Sequence, residues 1–305
     1  MEEATDIIEI EEINNRNPWI AFAFSLVAPG LGQIYNGQLK KGMFFFTVII
    51  LSPFVIGISQ SLTTFNGYVL TFAIILLLRI YTIIDAIVVA VKTTDYKLKK
   101  INNWYYYLLI SIISVSFSYL YECSSITGVR MFAISHVSHA PTLVPGDYII
   151  CDMDIYKNNK VEYGDNIIFL GPDNNTWIFR VVALPGDKIN INESFLVING
   201  KPCKYRKIDV KTEDGLNYAE YIEELPNGVK HVMRKLDGFI NPNIPKFDNL
   251  VIPENFYMVL GDNRDNAYDS RYFGLVPEDG IYGKVLFIVW STQKGRTGLS
   301  LTKKR

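Results

Sequence analysis

The sequence predicts an α-helical membrane domain followed by an all-β domain of folded antiparallel sheets that carries an inserted lobe. Three observations predict it. Long apolar stretches are confined to the first 121 of the 305 residues. After them come short runs rich in Ile, Val, Phe and Tyr, punctuated by Pro-Gly-Asp, Asn-Gly and Gly-Asp turns. Within that later part, one segment is more polar and more charged than its surroundings.

Composition agrees. Hydrophobic residues make up 49% of the chain and mean hydropathy is +0.13, high for a soluble protein. The formal charge of -1 gives no overall basic character, so no nucleic-acid partner is expected. The first twelve residues carry six acids and no base, the opposite of the basic start of a cleavable leader. Residues 1–17 therefore read as an acidic tail. Cys123, Cys151 and Cys203 form no CxxC and no metal-ligand spacing. They read as unpaired small hydrophobes, or as one disulfide and a leftover thiol in an oxidising compartment.

Four apolar stretches define a membrane domain over residues 18–122: Pro18–Asn36, Met43–Leu62, Gly67–Val91 and Asn103–Tyr121. Each approaches the roughly 20 residues that cross a hydrocarbon core. The last three read as full spans. The first is interrupted by "APGLGQ" (Ala28–Gln33), whose proline and glycines break a helix at mid-depth, so the domain has three to four transmembrane helices. Lys40 and Lys41 precede the second stretch, four lysines fill the loop Lys92–Lys100, and the loop Thr63–Asn66 is uncharged. The positive-inside rule places both lysine loops in the cytoplasm and everything after residue 122 outside it. Arg79 and Asp85 lie within the third stretch and read as structural pairs with other helices, Asp85 alternatively as snorkelling from near the span's end.

Residues 123–305 read as the β domain. Its runs include "DYIICDM", "NIIFLG", "WIFRVVAL", "FLVING", "FYMVLG" and "KVLFIVWS". The polar segment of about residues 204–249, with "PNG" and "NPNIP" breakers, is the expected insertion.

Three segments carry a resemblance. "SHAPTLVPGDYII" (Ser138–Ile150), "FRVVALPGDKI" (Phe179–Ile189) and "GDNRDNAYDSRYFG" (Gly261–Gly274) are similar, in this order, to the nucleophile segment, the Lys-Arg-Val-Val strand and turn, and the Gly-Asp-Asn-Arg-Asp-Asn-Ser segment of type I signal peptidases. Those are membrane-anchored serine endopeptidases. "NPWIAFAFSLVAPGLGQIYNGQLKKG" looks like an N-terminal extension of some bacterial members. The resemblance implies a signal-peptidase-like β domain outside the bacterial inner membrane. It implies exported preproteins or their signal peptides as partners, besides the bilayer, with the secretion machinery or an active paralogue as further ones. It implies no cofactor.

It also implies a serine–lysine dyad. Ser138 matches the nucleophile, but the lysine position is Phe179, which accepts no proton. The serine that orients the lysine is Ala267, the oxyanion-hole serine is His136, and His139 follows the nucleophile. Pro141, Thr142, Gly146, Asp147, Arg180, Asp262, Asn263, Arg264, Asp265, Asp269, Ser270 and Arg271 match the site's scaffold, with the Arg and Asp residues expected in a buried ion-pair network. If the 136–139 segment is a strand, His136 and Ser138 share a face about 7 Å apart, and His139 faces away. His136 is then a candidate substitute base or oxyanion donor. No carboxylate lies near enough in sequence to make the two histidines a metal site. Two functions stay open: a peptidase using Ser138 with a substitute base, and a non-catalytic relative whose groove binds exported proteins for assembly or processing.

Overall fold

The computed structural model describes residues 13–94, 96–98, 100–120, 123–192, 195–238, 245 and 247–302. The acidic stretch 1–12 lies outside the described residues. The chain divides into two compact units, residues 1–62 with 66–127, and residues 63–65 with 128–305.

In the first unit, helix α1 (Pro18–Val27) begins with proline at its first position, and the Asn17 side chain accepts from the Trp19 N–H at 2.8 Å. It stops where "APGLGQ" predicted a break. Gly30 turns the chain at φ +84°, and a Cβ there would collide with the Gly42 carbonyl oxygen. The short helix α2 (Leu31–Tyr35) follows, every residue buried. Helices α3 (Leu39–Ser59) and α4 (Phe65–Lys92) are long and apolar enough to cross a membrane. The fourth apolar stretch forms α5 (Trp104–Leu120), whose 17 residues fall short of the two longer helices, and α6 (Cys123–Thr127) ends the unit. Two-residue strands β1 (Ile13–Asn14) and β2 (Tyr96–Lys97) pair antiparallel.

The charges inside α4 have tertiary partners. Lys41 Nζ donates to Asp85 Oδ1 at 2.5 Å and Gln33 Nε2 to Asp85 Oδ2 at 3.1 Å. Gln33 Nε2 also donates to the Thr82 carbonyl at 2.6 Å, and Asn36 Nδ2 to the Ala86 carbonyl at 2.7 Å. Arg79 Nη2 donates to the Leu26 carbonyl at 3.2 Å. Thr82, Ala86 and Ala90, spaced by four, are the buried positions of α4. Small residues at that spacing let another segment approach closely, and polar side chains then bond across.

The second unit is built of antiparallel sheets. Its strands are β3 (Val129–Ala133), β4 (Asp147–Asp152), β5 (Asn166–Leu170), β6 (Thr176–Ala183), β7 (Lys188–Asn192), β8 (Phe195–Ile198), β9 (Lys201–Pro202), β10 (Lys204–Glu213), β11 (Leu216–Glu224), β12 (Lys230–Leu236), β13 (Phe247–Val251), β14 (Phe256–Leu260), β15 (Val276–Pro277) and β16 (Ile281–Ser291). A seven-stranded sheet runs β15-β14-β6-β5-β16-β4-β3, and a four-stranded sheet runs β13-β7-β8-β9. The polar segment supplies a third sheet, β10-β11-β12, whose outer strand β10 is exposed at nearly every residue. Helix α7 (Ser270–Phe273) is a single turn after β14.

Period-two alternation along β6 positions the site. Phe179 joins an apolar cluster with Ile167, Val181, Val259 and Ala267, while Arg180 is buried among polar groups. Cys151 and Cys203 are free thiols, and burial pushes Cys203 up to about 12 and Cys151 well above its ordinary value. The Cys123 side chain lies outside the described residues.

Candidate active site

Ser138 does not lie on a strand. β3 ends at Ala133, where its pairing with Tyr148 of β4 stops, and residues 134–146 form a loop of turns. The same-face argument for His136 and Ser138 therefore fails: without a ladder partner the backbone leaves the extended conformation. His136 is exposed, Ser138 is half-buried and His139 is buried. His139, expected to face away, lines the same groove as Ser138 and His136.

The loop is held from three sides. At its base, Ile134 N–H donates to the Asp147 carbonyl at 2.8 Å and Gly146 N–H to the Ile134 carbonyl at 3.0 Å. Gly146 sits at φ +91°, where a Cβ would collide with Thr292 Oγ1, so this Pro-Gly-Asp turn requires glycine. Asp147 is fully buried and accepts from Val144 N–H at 3.0 Å, Ser291 Oγ at 2.6 Å and Arg296 Nη2 at 2.7 Å. Burial alone would raise its pKa, but the Arg296 and Ser291 bonds hold it below the ordinary value. Arg296 also donates to the carbonyls of Pro141 at 3.2 Å and Thr142 at 2.8 Å. Arg296 lies outside the three motif segments, and no local pattern pointed to it.

On the second side lies Asp262. Arg180 grips it with two parallel bonds, Nε to Oδ1 at 2.9 Å and Nη2 to Oδ2 at 2.7 Å, and Thr142 Oγ1 donates to Oδ2. Asp262 N–H approaches His139 Nδ1 at 3.4 Å, and His139 Nε2 lies 2.8 Å from Asn166 Oδ1. This pattern makes Nδ1 the acceptor and Nε2 the protonated nitrogen. Both ring nitrogens are thereby engaged. Desolvation by burial is the main cause that lowers the His139 pKa, partly opposed by the Asp262 carboxylate. Asp262 itself is held far below the carboxylate range, because Arg180, His139 and His231 of β12 outweigh its burial.

On the third side, Asn263 N–H donates to the Ser138 carbonyl at 3.2 Å and its Nδ2 to the Val137 carbonyl at 3.1 Å. The motif continues as a network. Asp269 accepts from Gly261 N–H at 2.9 Å and from Arg271 Nε and Nη2, each at 2.8 Å, and Arg271 Nη2 donates to the Arg264 carbonyl at 2.5 Å. Ser270 Oγ accepts from Val259 N–H at 3.0 Å, and Asp265 Oδ2 from Leu236 N–H at 2.8 Å. Arg264 pairs with Glu223 of β11, both side chains fully buried.

A groove of about 610 Å³ opens beside Ser138, lined by Phe132, Ile134, His136, His139, Trp177, Phe179 and Tyr268 among others. Among the described residues, no lysine lines it. Phe179 is 5% exposed, with its ring centroid 6.2 Å from those of His139 and Phe169 and 5.9 Å from that of Trp177. Gly261 marks how closely these groups converge: a Cβ there would collide with Ala267 Cβ, lie 2.5 Å from the Ser138 carbonyl oxygen and 3.2 Å from Phe179 Cε1. Phe179, Ala267 and the Ser138 backbone thus meet at one point. His231 and Glu223, both from the polar segment, are two further residues that sequence reasoning missed.

The comparisons with known proteins point one way. Residues 102–290 match the signal peptidase, peptidase S26, family. Signal peptidase IB of Staphylococcus aureus strain COL is 32% identical over 196 residues, covering 63% of this chain and 91% of the relative. Signal peptidase I of Buchnera aphidicola subsp. Schizaphis graminum is 32% identical over 234 residues, covering 60% of this chain and 72% of that protein. A solved signal peptidase I structure from Enterococcus faecalis V583 is 27% identical and covers 41% of this chain and 97% of its own, with a TM-score of 0.27. A match across more than half of the chain shows that it belongs to the signal peptidase family, peptidase S26.

Proposed function

We propose that this protein is a multi-pass, membrane-anchored serine endopeptidase of the signal peptidase I type, with its β domain outside the cytoplasm, that removes signal peptides from exported preproteins. The observation that carries this reading is the placement of Ser138. It is half-buried in a groove, on a loop whose carbonyls are gripped by Arg296 and Asn263. A strapped loop of this kind can hold a nucleophile in position against an extended substrate laid along the groove.

Ser138 attacks the scissile carbonyl and needs a proton acceptor. His139 does not serve, because both its nitrogens bond within the buried network. Phe179 offers no acceptor. His136 is the remaining imidazole on the groove, and it is exposed. It is therefore assigned the base. The test is processing of a preprotein with an Ala-x-Ala site by the full chain in detergent. Cleavage by the parent protein that Ser138→Ala abolishes supports the reading; equal cleavage by both contradicts it.

One observation favours a second reading, a catalytically impaired relative that binds exported proteins for assembly. Phe179 and Ala267 pack as apolar neighbours around Gly261, where the dyad's lysine and its orienting serine are expected. That reading predicts peptide binding unchanged by Ser138→Ala and no cleavage by the parent.

A further inference from the structure

The inserted three-stranded sheet is joined to the Ser138 loop through a strap, residues 261–264. Arg234 of β12 forms a parallel bridge to Asn263: its N–H donates to the Asp262 carbonyl at 2.8 Å, and its carbonyl accepts from Arg264 N–H at 2.9 Å. On the opposite side of the same strap, Asn263 bonds the Ser138 and Val137 carbonyls, and Asp262 N–H approaches His139. The strap is thus held between the insertion and the loop that carries the nucleophile.

Side chains repeat this connection. His231 Nε2 of β12 lies 2.9 Å from Glu223 Oε2 and 3.5 Å from Asp262 Oδ1, without the alignment of a full hydrogen bond to either. Glu223 is also the countercharge of Arg264 and accepts from the Tyr205 hydroxyl. Asp262 in turn faces Arg180, Thr142 and His139. Around the two histidines the charged groups are therefore Asp262 and Arg264 on the strap, Arg180 on β6 and Glu223 on β11. All are buried. A buried charge has few alternative arrangements, because leaving it unpaired costs several kcal/mol. Moving one member displaces the strap, and the strap carries the loop.

We propose that His231 and Glu223 of the insertion are positioning residues for Ser138, acting through Asp262 and Arg264. The insertion is then the back wall of the site. This rests on Ser138 being the working residue of the groove, so the test must read its placement without relying on turnover.

The full-length Ser138→Cys protein supplies that reading through the alkylation rate of the introduced thiol, followed by peptide mass spectrometry alongside the melting temperature. His231→Gln and Glu223→Gln are each expected to change that rate by about tenfold or more, in protein that still melts cooperatively. In the serine form, the same substitutions are expected to lower kcat about tenfold with KM within twofold, and Glu223→Asp to restore part of it. A lowered melting temperature with the alkylation rate within twofold would overturn the proposal and leave the insertion a purely structural lobe. If either variant does not fold, Tyr205→Phe, which removes one hydroxyl, carries the same two outcomes. Absence of cleavage by the parent would count against the peptidase reading alone, since the alkylation comparison stands without it.

Discussion

His139 and Phe179 lie with ring centroids 6.2 Å apart beside Ser138, yet the imidazole spends both nitrogens on Asn166 and Asp262. The residue next in sequence to Ser138 is therefore part of the buried network, and the phenylalanine fills the apolar space in which a buried lysine is expected. Several consequences can be measured.

Phe179→Lys with Ala267→Ser rebuilds the dyad that the motif implies. The ammonium would enter an apolar cluster, and desolvation would depress its pKa toward the neutral form that accepts a proton. General-base catalysis typically contributes about 10²–10⁴-fold, so in a His136→Ala background, which lacks the assigned base, cleavage should rise by about a hundredfold or more. Losing the buried ring should cost about 3 kcal/mol of stability, read by denaturant titration. No gain in a folded double variant would show that the slot does not aim at Ser138.

Arg296→Gln removes the guanidinium that binds the Pro141 and Thr142 carbonyls and the Asp147 carboxylate. Asp147 would remain buried without its charged partner. A loss of about 1–3 kcal/mol is expected, together with faster hydrogen exchange of amides 134–146. A change smaller than about 0.5 kcal/mol, on the order of a neutral surface substitution, would contradict the strapping role.

Stability should fall on acidification in two windows. Burial lowers the pKa of His139 and His231 below the ordinary 6.5, so the unfolded chain takes up protons first. Their contribution is complete above pH 6.5 and is lost as pH falls through the folded values, at up to about 1.4 kcal/mol per pH unit for each histidine. Glu223, held near 2 against its burial by Arg264 and His231, adds a second loss below its ordinary value of 4.5. Denaturant titrations of the full chain at about pH 7.5, 6, 5 and 4 check this. A flat profile between about pH 7 and 5 would mean that neither histidine stays neutral.

Asp85→Asn should leave Lys41 without its carboxylate in the helical unit, while Gln33 keeps an acceptor. Lys41 is about a third exposed, so the pair is screened. A double-mutant cycle with Lys41→Met should give a coupling of about 0.5–1.5 kcal/mol. Zero coupling would contradict a pairing role.

Much of this architecture was legible in the sequence, for identifiable reasons. The break in the first apolar stretch was legible because proline and a positive-φ glycine are local features. The segment from Gly261 to Arg271 was legible because its members are contiguous, and Gly261, Arg264, Asp269 and Arg271 bond to one another. The Ser138 loop was misread because period-two alternation holds only where a strand has a partner, and β3 ceases to pair with β4 beyond Ala133 and Tyr148. Glu223, His231 and Arg296 were invisible for another reason. Glu223 meets Arg264 from 41 residues away, and Arg296 reaches Thr142 across 154, which no local pattern encodes.

The most direct test is the pH profile of preprotein cleavage in detergent, comparing the parent chain with His136→Ala and Ser138→Ala. The account predicts cleavage by the parent that depends on Ser138 and declines on acidification, with that pH dependence or the cleavage itself lost in His136→Ala. Absence of parent cleavage at every pH, or a profile that His136→Ala leaves unchanged, would contradict it.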